Sequence, residues 1–216
     1  MTKRETATVT CPKCGKDSNF AVYLSINRQV SPDLAEKLMD GSLFRFDCPE
    51  CGCSTIVTHQ CLYNDMEAGY MVQLVPGDED KEFIDEFEKL ASDELMAFAA
   101  GHYETRIVHT LNELREKAMV IRDGYDDGTI ELLKVFVMFS AIEQGDADRD
   151  SDILYESTED GELVFAVFRG DDISAVAAPA DMLEMIAKEF GENPGRGAGY
   201  YVDAEWAADV ISRKPE

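Results

Sequence analysis

Six cysteines fall between positions 11 and 61, and four of them form two matching tetrapeptides. Cys11-Pro12-Lys13-Cys14 is followed by Gly15, and Cys48-Pro49-Glu50-Cys51 by Gly52. Each places two thiols at C-x₂-C spacing on a tight turn, and the Gly after the second Cys lets the backbone pass through positive φ without a Cβ clash. Backbone N–H groups of such a turn can point at the sulfurs. Two turns of this kind supply the four soft ligands of tetrahedral Zn²⁺. The expectation is therefore one structural Zn²⁺ held by Cys11, Cys14, Cys48 and Cys51. Four protein sulfurs leave no open position for water or substrate, and a closed site of that sort stabilises a fold. The competing chemistry is a pair of redox C-x-x-C motifs. Those sit singly at a helix start in a thioredoxin-like unit, whereas here a matched pair precedes strand-like sequence.

Other residues offer weaker chemistry. Cys53 competes with Cys51 as a ligand. Cys53, His59 and Cys61 share one face if they lie on one strand, and could then form a thiol–imidazole pair or a partial metal site; as bland alternatives they are buried small residues and a polar partner. Glu116, Lys117, Asp123, Asp126, Asp127, Glu131 and Lys134 are dense in charge. They could converge as an acid/base or metal site. The simpler expectation is that Asp126 and Asp127 cap a helix, Glu131 and Lys134 pair at i,i+3, and the rest is a solvated face. Asp146, Asp148, Asp150 and Asp152 resemble a Ca²⁺ loop, but Ser151 stands at the Gly position and Ser157 at that of the bidentate Glu. Gly195-Arg196-Gly197-Ala198-Gly199 lacks the strand–helix frame and the Lys of a phosphate loop and reads as a flexible turn. His102 and His109 have no metal spacing.

These groups need elements to position them. Thr6–Thr10 and Phe20–Ile26 read as strands around the first knuckle, and Leu43–Asp47 and Cys53–Leu62 as strands around the second. The 33 residues between Cys14 and Cys48 contain a short helix, with Ser31 as N-cap, Pro32 at its first position, Leu34, Leu38 and Met39 on one face, and Gly41 at its end. Tyr70–Val75 is a further strand. A helix opens at Asp78-Glu79-Asp80, with a stripe of Phe83, Ile84, Phe87, Leu90, Ala91, Leu95 and Phe98, and stops at Gly101. Thr105–His109 is extended, and helices follow over Leu111–Arg122 and Thr129–Gln144, the latter capped by Asp127. Its segment Ile130–Ala141 is apolar nearly all round and is expected near a centre. Beyond the acidic stretch at Gly145–Asp152, Glu159-Asp160-Gly161 marks a hairpin, Leu163–Phe168 a strand covered on both sides, and Ile173–Ala178 a third strand. Helices close the chain over Asp181–Phe190 and Asp203–Ile211. The expected class is α+β: an N-terminal antiparallel zinc ribbon with a helical insertion, then helices, then a small α+β unit. The expected domains are 1–144, with ribbon and β extension over 6–76 and helices over 80–144, and 145–216.

The 216 residues carry 20 Lys+Arg against 44 Asp+Glu, a net charge of −24. Residues 1–75 account for −2 of this and residues 76–216 for −22. Such a field repels phosphate backbones and anionic membranes; it favours solubility through a well-solvated surface, the simpler expectation, or a basic partner. No basic stripe with aromatics appears, so nucleic-acid binding is disfavoured. The longest strongly apolar stretch, Val135–Phe139, is too short to span a bilayer, and no apolar run follows Met1-Thr2-Lys3-Arg4 as in a secretion signal. Cysteines at metal spacing fit a reducing compartment, so the expected location is the cytoplasm.

The paired CPxCG knuckles, the Tyr63-Asn64-Asp65 segment, and the run Leu114, Glu116, Lys117, Asp123, Gly124, Asp126, Asp127, Ile130, Glu131 and Lys134 together resemble the CpXC domain family. The resemblance covers roughly Val9 to Lys134 and implies a metal-binding domain, with Cys11, Cys14, Cys48 and Cys51 as the cysteines that name the family. It implies no defined activity. The expected function is a zinc-stabilised protein-interaction or adaptor protein with a protein partner of basic character. An enzyme with a site near His59 and Cys61, or in the Glu116–Lys134 cluster, is the alternative.

Overall fold

The computed structural model describes residues 2–77, 80–91 and 103–213. It is mixed α and β, as the sequence leads one to expect. Packing divides the chain into two compact units, Met1–Arg115 and Glu116–Glu216. The division falls inside one helix, whereas the change of composition comes later, at Gly145.

In the first unit, β1 (Lys3–Thr10) and β2 (Asp17–Asn27) form an antiparallel pair closing at Thr10↔Asp17, with the first knuckle as its loop. The shorter β3 (Arg45–Asp47) and β4 (Ser54–Ile56) repeat the device around the second knuckle, closing at Asp47↔Ser54. Here the structure departs from the expected ribbon. The strand expected over Cys53–Leu62 is broken: β4 stays with the knuckle, and β5 (Cys61–Asp65) joins a different sheet. That sheet has the order β1-β2-β5-β6-β7, with β6 over Tyr70–Leu74 and β7 over Glu104–Val108. It is mixed, not antiparallel throughout, because β2–β5 and β6–β7 run parallel. Parallel neighbours need a long crossover. Residues 28–60, which carry α1 (Pro32–Met39) and the whole second knuckle hairpin, supply the first one. The segment with α2 (Asp80–Ala91) supplies the second.

Local chemistry fixes these pieces. Pro32 opens α1 as expected, but Ser31 makes no side-chain cap; its hydroxyl lies 2.9 Å from that of Thr2. Ala35, Leu38 and Met39 are the buried face. Phe83 and Ile84 of α2 are half-buried; the expected continuation through Leu95, Phe98 and Gly101 lies outside the described residues. The Tyr63-Asn64-Asp65 motif ends β5. Asn27 Nδ2 donates to Asn64 Oδ1 at 3.1 Å across the parallel pair. Fully buried Asp65 accepts from Arg28 and Gln29 at 2.6 Å each and from the N–H groups of Glu67 and Ala68 in the β5–β6 turn. Burial opposes its charge, but the Arg28 guanidinium, the Ala68 N–H and the Gln29 amide outweigh it and hold the carboxyl below its usual range. α3 (Leu111–Arg122) begins with a capping box: Glu113 N–H donates to Thr110 Oγ1 at 3.2 Å, and Thr110 N–H to Glu113 Oε2 at 2.9 Å.

The second unit holds the rest of α3, α4 (Asp127–Gln144), an antiparallel sheet in the order β10-β9-β8, α5 (Asp181–Phe190) and α6 (Ala204–Ser212). Its strands are β8 (Asp152–Glu159), β9 (Glu162–Arg169) and β10 (Asp172–Pro179). The hairpin read at Asp160-Gly161 is present, both residues at positive φ, 51° and 85°, as a type I′ turn demands. In the central strand β9, Leu163, Phe165, Ala166 and Val167 are buried. α4 starts two residues earlier than expected. Asp126, not Asp127, is its cap, accepting from Thr129 N–H at 2.9 Å, and Gly145 ends it. α6 is capped by Asp203, which accepts from Trp206 N–H at 2.9 Å.

Candidate metal centre

The two knuckles have the same backbone. Cys11 N–H donates to Lys16 C=O and Gly15 N–H to Cys11 C=O, both at 2.9 Å. Cys48 N–H donates to Cys53 C=O at 2.8 Å and Gly52 N–H to Cys48 C=O at 2.9 Å. Gly15 and Gly52 stand at φ 68° and 69°, so the role assigned to these glycines is met. Below the knuckles lies a small core of Cys11, Phe46 and Cys48, with Val9, Phe20, Cys51, Cys53 and Val57 packed against it. Phe20 and Phe46 meet edge to face, ring centroids 5.9 Å apart.

This arrangement brings the four sulfurs together. Cys11 Sγ lies 3.6 Å from Cys51 Sγ, and Cys14 Sγ 3.7 Å from Cys48 Sγ. All four sulfurs lie within 4.8 Å of one another. A tetrahedron with metal–sulfur bonds of about 2.3 Å has sulfur–sulfur edges of about 3.8 Å. The donor set therefore fits, and these four Cys could hold a metal ion. Among the described residues they are the one group of three or more Cys, His, Asp or Glu drawn together in this way. Cys11 and Cys48 are buried, Cys51 is half-buried and Cys14 faces solvent. N–H groups of Cys14 and Lys13 point at Cys11 and lower its thiol to about 6. At Cys14 the Lys16 N–H pulls the same way, but partial desolvation of the sulfur among its neighbours and hydrogen bonds with Cys11, Cys51 and Cys48 outweigh it and push the thiol up to about 12. Sulfurs this close do not all ionise by themselves; a coordinated cation inverts that preference.

Cys53 stands outside the four, its thiol turned toward Ser54 C=O at 3.9 Å. Residues 57–60 carry no strand, so Cys53, His59 and Cys61 do not share a strand face. His59 Nδ1 lies 3.1 Å from Val57 C=O, its Nε2 has no hydrogen-bond partner among the described residues, and its ring leans on Phe44. Cys61 is fully buried, which pushes its thiol up to about 12. The thiol–imidazole pair is not formed.

The charge-dense run tells a different story. Glu116, Lys117, Asp127, Glu131 and Lys134 are at most 8% exposed; the solvated face expected for Glu116 and Lys117 is overturned. Lys134 Nζ lies 2.9 Å from Glu116 Oε2 and 3.0 Å from Glu131 Oε2. Lys117 Nζ lies 3.0 Å from Glu131 Oε1 and 3.3 Å from Asp127 Oδ2, and donates to Val202 C=O at 2.6 Å. Glu116 Oε1 accepts from Tyr155 N–H at 2.7 Å. The i,i+3 pair of Glu131 and Lys134 exists, but inside the protein. Burial alone would neutralise both lysines; Glu131, Asp127 and Glu116 around Lys117, and Glu116 and Glu131 around Lys134, instead raise their pKa values. Glu131, opposed by burial but facing both lysines, is lowered, whereas burial raises Glu116 against the pull of Lys134. The chain of alternating charges is mutually paired, with Glu131 Oε2 held by its ion pair to Lys134 and no hydrogen bond among the described residues, and serves as a polar core joining α3, α4, β8 and the segment before α6.

The remaining candidates settle simply. Asp148 accepts from Asp150 N–H and Ser151 Oγ, both at 3.0 Å, in a self-contained turn. The glycine run read as a flexible turn is anchored: buried Gly195 donates its N–H to Asp126 Oδ2 at 3.0 Å. It sits so close to Gly128 that a Cβ there would overlap the Gly195 backbone and lie 2.8 Å from Trp206. His109 Nδ1 lies 3.1 Å from Val75 C=O, and His102 lies outside the described residues. Sequence reasoning missed Tyr155 and Val202, and read Gly195 only as part of a turn. Their partners lie far along the chain, and backbone groups leave no local mark.

Together these features define an α+β protein with a four-cysteine cluster able to hold a metal ion. The CpXC family model, described as CpXC protein, matches residues 9–134, more than half of the chain, and the chain belongs to this family. The match opens just before Cys11 and ends on Lys134, so it takes in both the sulfur cluster and the charge network. No curated protein and no solved structure matches the chain.

Proposed function

We propose that this is a zinc-stabilised interaction protein of the cytoplasm, with Cys11, Cys14, Cys48 and Cys51 as the ligands of one structural Zn²⁺ and the two knuckle hairpins as the arms of a zinc ribbon. The observation that carries it is the set of sulfur–sulfur separations, 3.6 and 3.7 Å across the knuckles, which suits Zn–S bonds of about 2.3 Å. A sulfur-only tetrahedron selects zinc or iron and leaves no position for substrate. Three buried residues are a thin core for two hairpins, so a bound ion would contribute much of their stability. The other charge-dense set is enclosed and mutually paired, which speaks for architecture over catalysis. No helix among the described residues is long and apolar enough to cross a membrane. The strong negative charge favours a protein partner with a basic surface.

Metal content measured by mass spectrometry on protein purified without added metal tests the site. One zinc per chain is expected, with loss in Cys14→Ser and Cys51→Ser and retention in Cys53→Ser. Iron, or zinc retained without Cys14 and Cys51, refutes the assignment. Chelation is expected to remove hydrogen-exchange protection from β1–β4. A fold indifferent to chelation refutes the structural role.

A further inference from the structure

The second unit has two sheet edges, and they are treated differently. At the β8 edge, the Tyr155 N–H is taken by Glu116 Oε1 at 2.7 Å, so α3 blocks it. At the β10 edge nothing comparable occurs among the described residues. Residues 172–175, 177 and 179 are exposed, Ile173 to 68%. The β9–β10 turn has two residues, with Arg169 facing Asp172 across it. A two-residue turn closes on a hydrogen-bonded pair, and such pairs alternate with non-bonded ones. The backbone groups of Ile173, Ala175 and Ala177 therefore point outward, away from β9. Pro179 falls in the same outward set, where a missing N–H disturbs no ladder bond.

Charge says what fits there. From Ile173 to Ala180 the chain has no charged side chain. Asp171 and Asp172 stand at one end of this run, and Asp181 and Glu184 at the other. The second unit as a whole has 24 acidic and 9 basic side chains. An uncharged, unprotected edge between two acidic ends is complementary to an extended segment with an uncharged middle and Lys or Arg at both flanks. Natural sheets usually guard such an edge with charges or Pro; β10 carries these only at its two ends, as Asp172 and Pro179.

We propose that the β10 edge takes up an extended, basic-flanked peptide segment of a partner protein as a fourth strand. Outward N–H and C=O groups of Ile173, Ala175 and Ala177 supply the ladder, and the acidic ends set its preference. This rests on the interaction reading above and names the surface and the chemistry of the partner.

The test uses the full chain and two synthetic twelve-residue peptides with the same alternating Val/Thr middle, one flanked by Lys pairs and one by Glu pairs. Fluorescence anisotropy is expected to show the Lys-flanked peptide binding at least tenfold more tightly, with an advantage that shrinks with salt. Hydrogen exchange should slow at Ile173, Ala175 and Ala177. Ala175→Pro, which removes an outward N–H and no ladder bond to β9, should abolish binding with circular dichroism unchanged. Should that variant misfold, Ala175→Lys/Ala177→Lys is expected to reverse the preference toward the Glu-flanked peptide. Equal binding of both peptides, binding of neither, or protection elsewhere overturns the proposal. So does a purified homodimer with those amides already protected, which would assign the edge to a second copy. A cellular partner that leaves these amides exchanging freely sinks this proposal and leaves the interaction reading standing; peptide capture at β10 without any cellular partner does the reverse.

Discussion

Replacing Lys134 by Met separates an interior charge network from a solvated one. Met keeps the length and apolar stem of the side chain and removes the ammonium. Glu116 Oε2 then loses the ammonium 2.9 Å away, and Glu131 keeps its contact with Lys117. Both carboxylates are at most 4% exposed, so water cannot take over. Removing one partner of a buried pair costs about 3–5 kcal/mol. A domain of this size has a total stability of about 5–15 kcal/mol, so the loss is a large share of the whole. The chain's single tryptophan, Trp206, sits in α6 of this unit close to Gly128 and gives a local optical probe. Urea denaturation of the full chain followed by Trp206 fluorescence should show the midpoint falling by about 2 M, for a cost of about 4 kcal/mol and a slope of about 2 kcal/mol/M. Glu116→Gln/Lys134→Met should regain most of this, because Gln keeps the acceptor for Tyr155 N–H while removing the stranded charge. A loss below about 1 kcal/mol for Lys134→Met, as at an exposed pair, would refute the reasoning.

Gly128→Ala should destabilise the same unit by about 1–3 kcal/mol and shift Trp206 emission, because the added methyl meets the Gly195 backbone and the indole. Asp65 has a folded pKa below its unfolded value, so its stabilisation is present above the unfolded pKa of about 3.9 and is lost as pH falls through the folded value. Wild type should accordingly exceed Asp65→Asn in thermal stability at pH 7 and converge with it in acid; a gap that widens on acidification contradicts this. Asp126→Ala removes the acceptor of both Thr129 and Gly195 N–H. It should cost about 1–2 kcal/mol and speed hydrogen exchange at both amides.

Local chemistry was legible in the sequence at most places where a residue acts on its near neighbours, although Ser31 makes no side-chain cap on α1 and α4 is capped by Asp126 in place of Asp127. The knuckle glycines, the Asp160-Gly161 turn, Pro32 opening α1 and the acidic cap of α6 stand where spacing puts them. Long-range pairing was not. Nothing around Cys61 says that its strand leaves the second knuckle to lie parallel to β2; the short helix between the knuckles could be decoration on a ribbon or, as it is, part of a crossover. The charge network was misread for a related reason. A helix face of Glu and Lys at i,i+3 spacing looks the same exposed or buried, and here α3 and α4 turn theirs toward each other, with Val202 and Tyr155 closing the set. The candidate cluster was readable because C-x₂-C spacing is itself a geometric constraint. Cys53, one residue past Gly52, could be set aside only once the shared knuckle backbone was seen.

The repeat of one loop geometry in two hairpins also sets a schedule for synthesis. Cys11 and Cys14 leave the ribosome 37 residues ahead of Cys48 and Cys51. At about 5–20 residues per second the first pair waits about 2–7 s for the second, while a hairpin forms in about 1–10 μs. The β1–β2 hairpin can therefore open and close many thousands of times with half of a sulfur cluster on its tip. For those seconds the nascent chain displays two of the four thiols at a hairpin tip, half of a set that could hold a metal ion. The gathering of the four sulfurs is complete once β4 has emerged, long before the strands and helices of the second unit have been made.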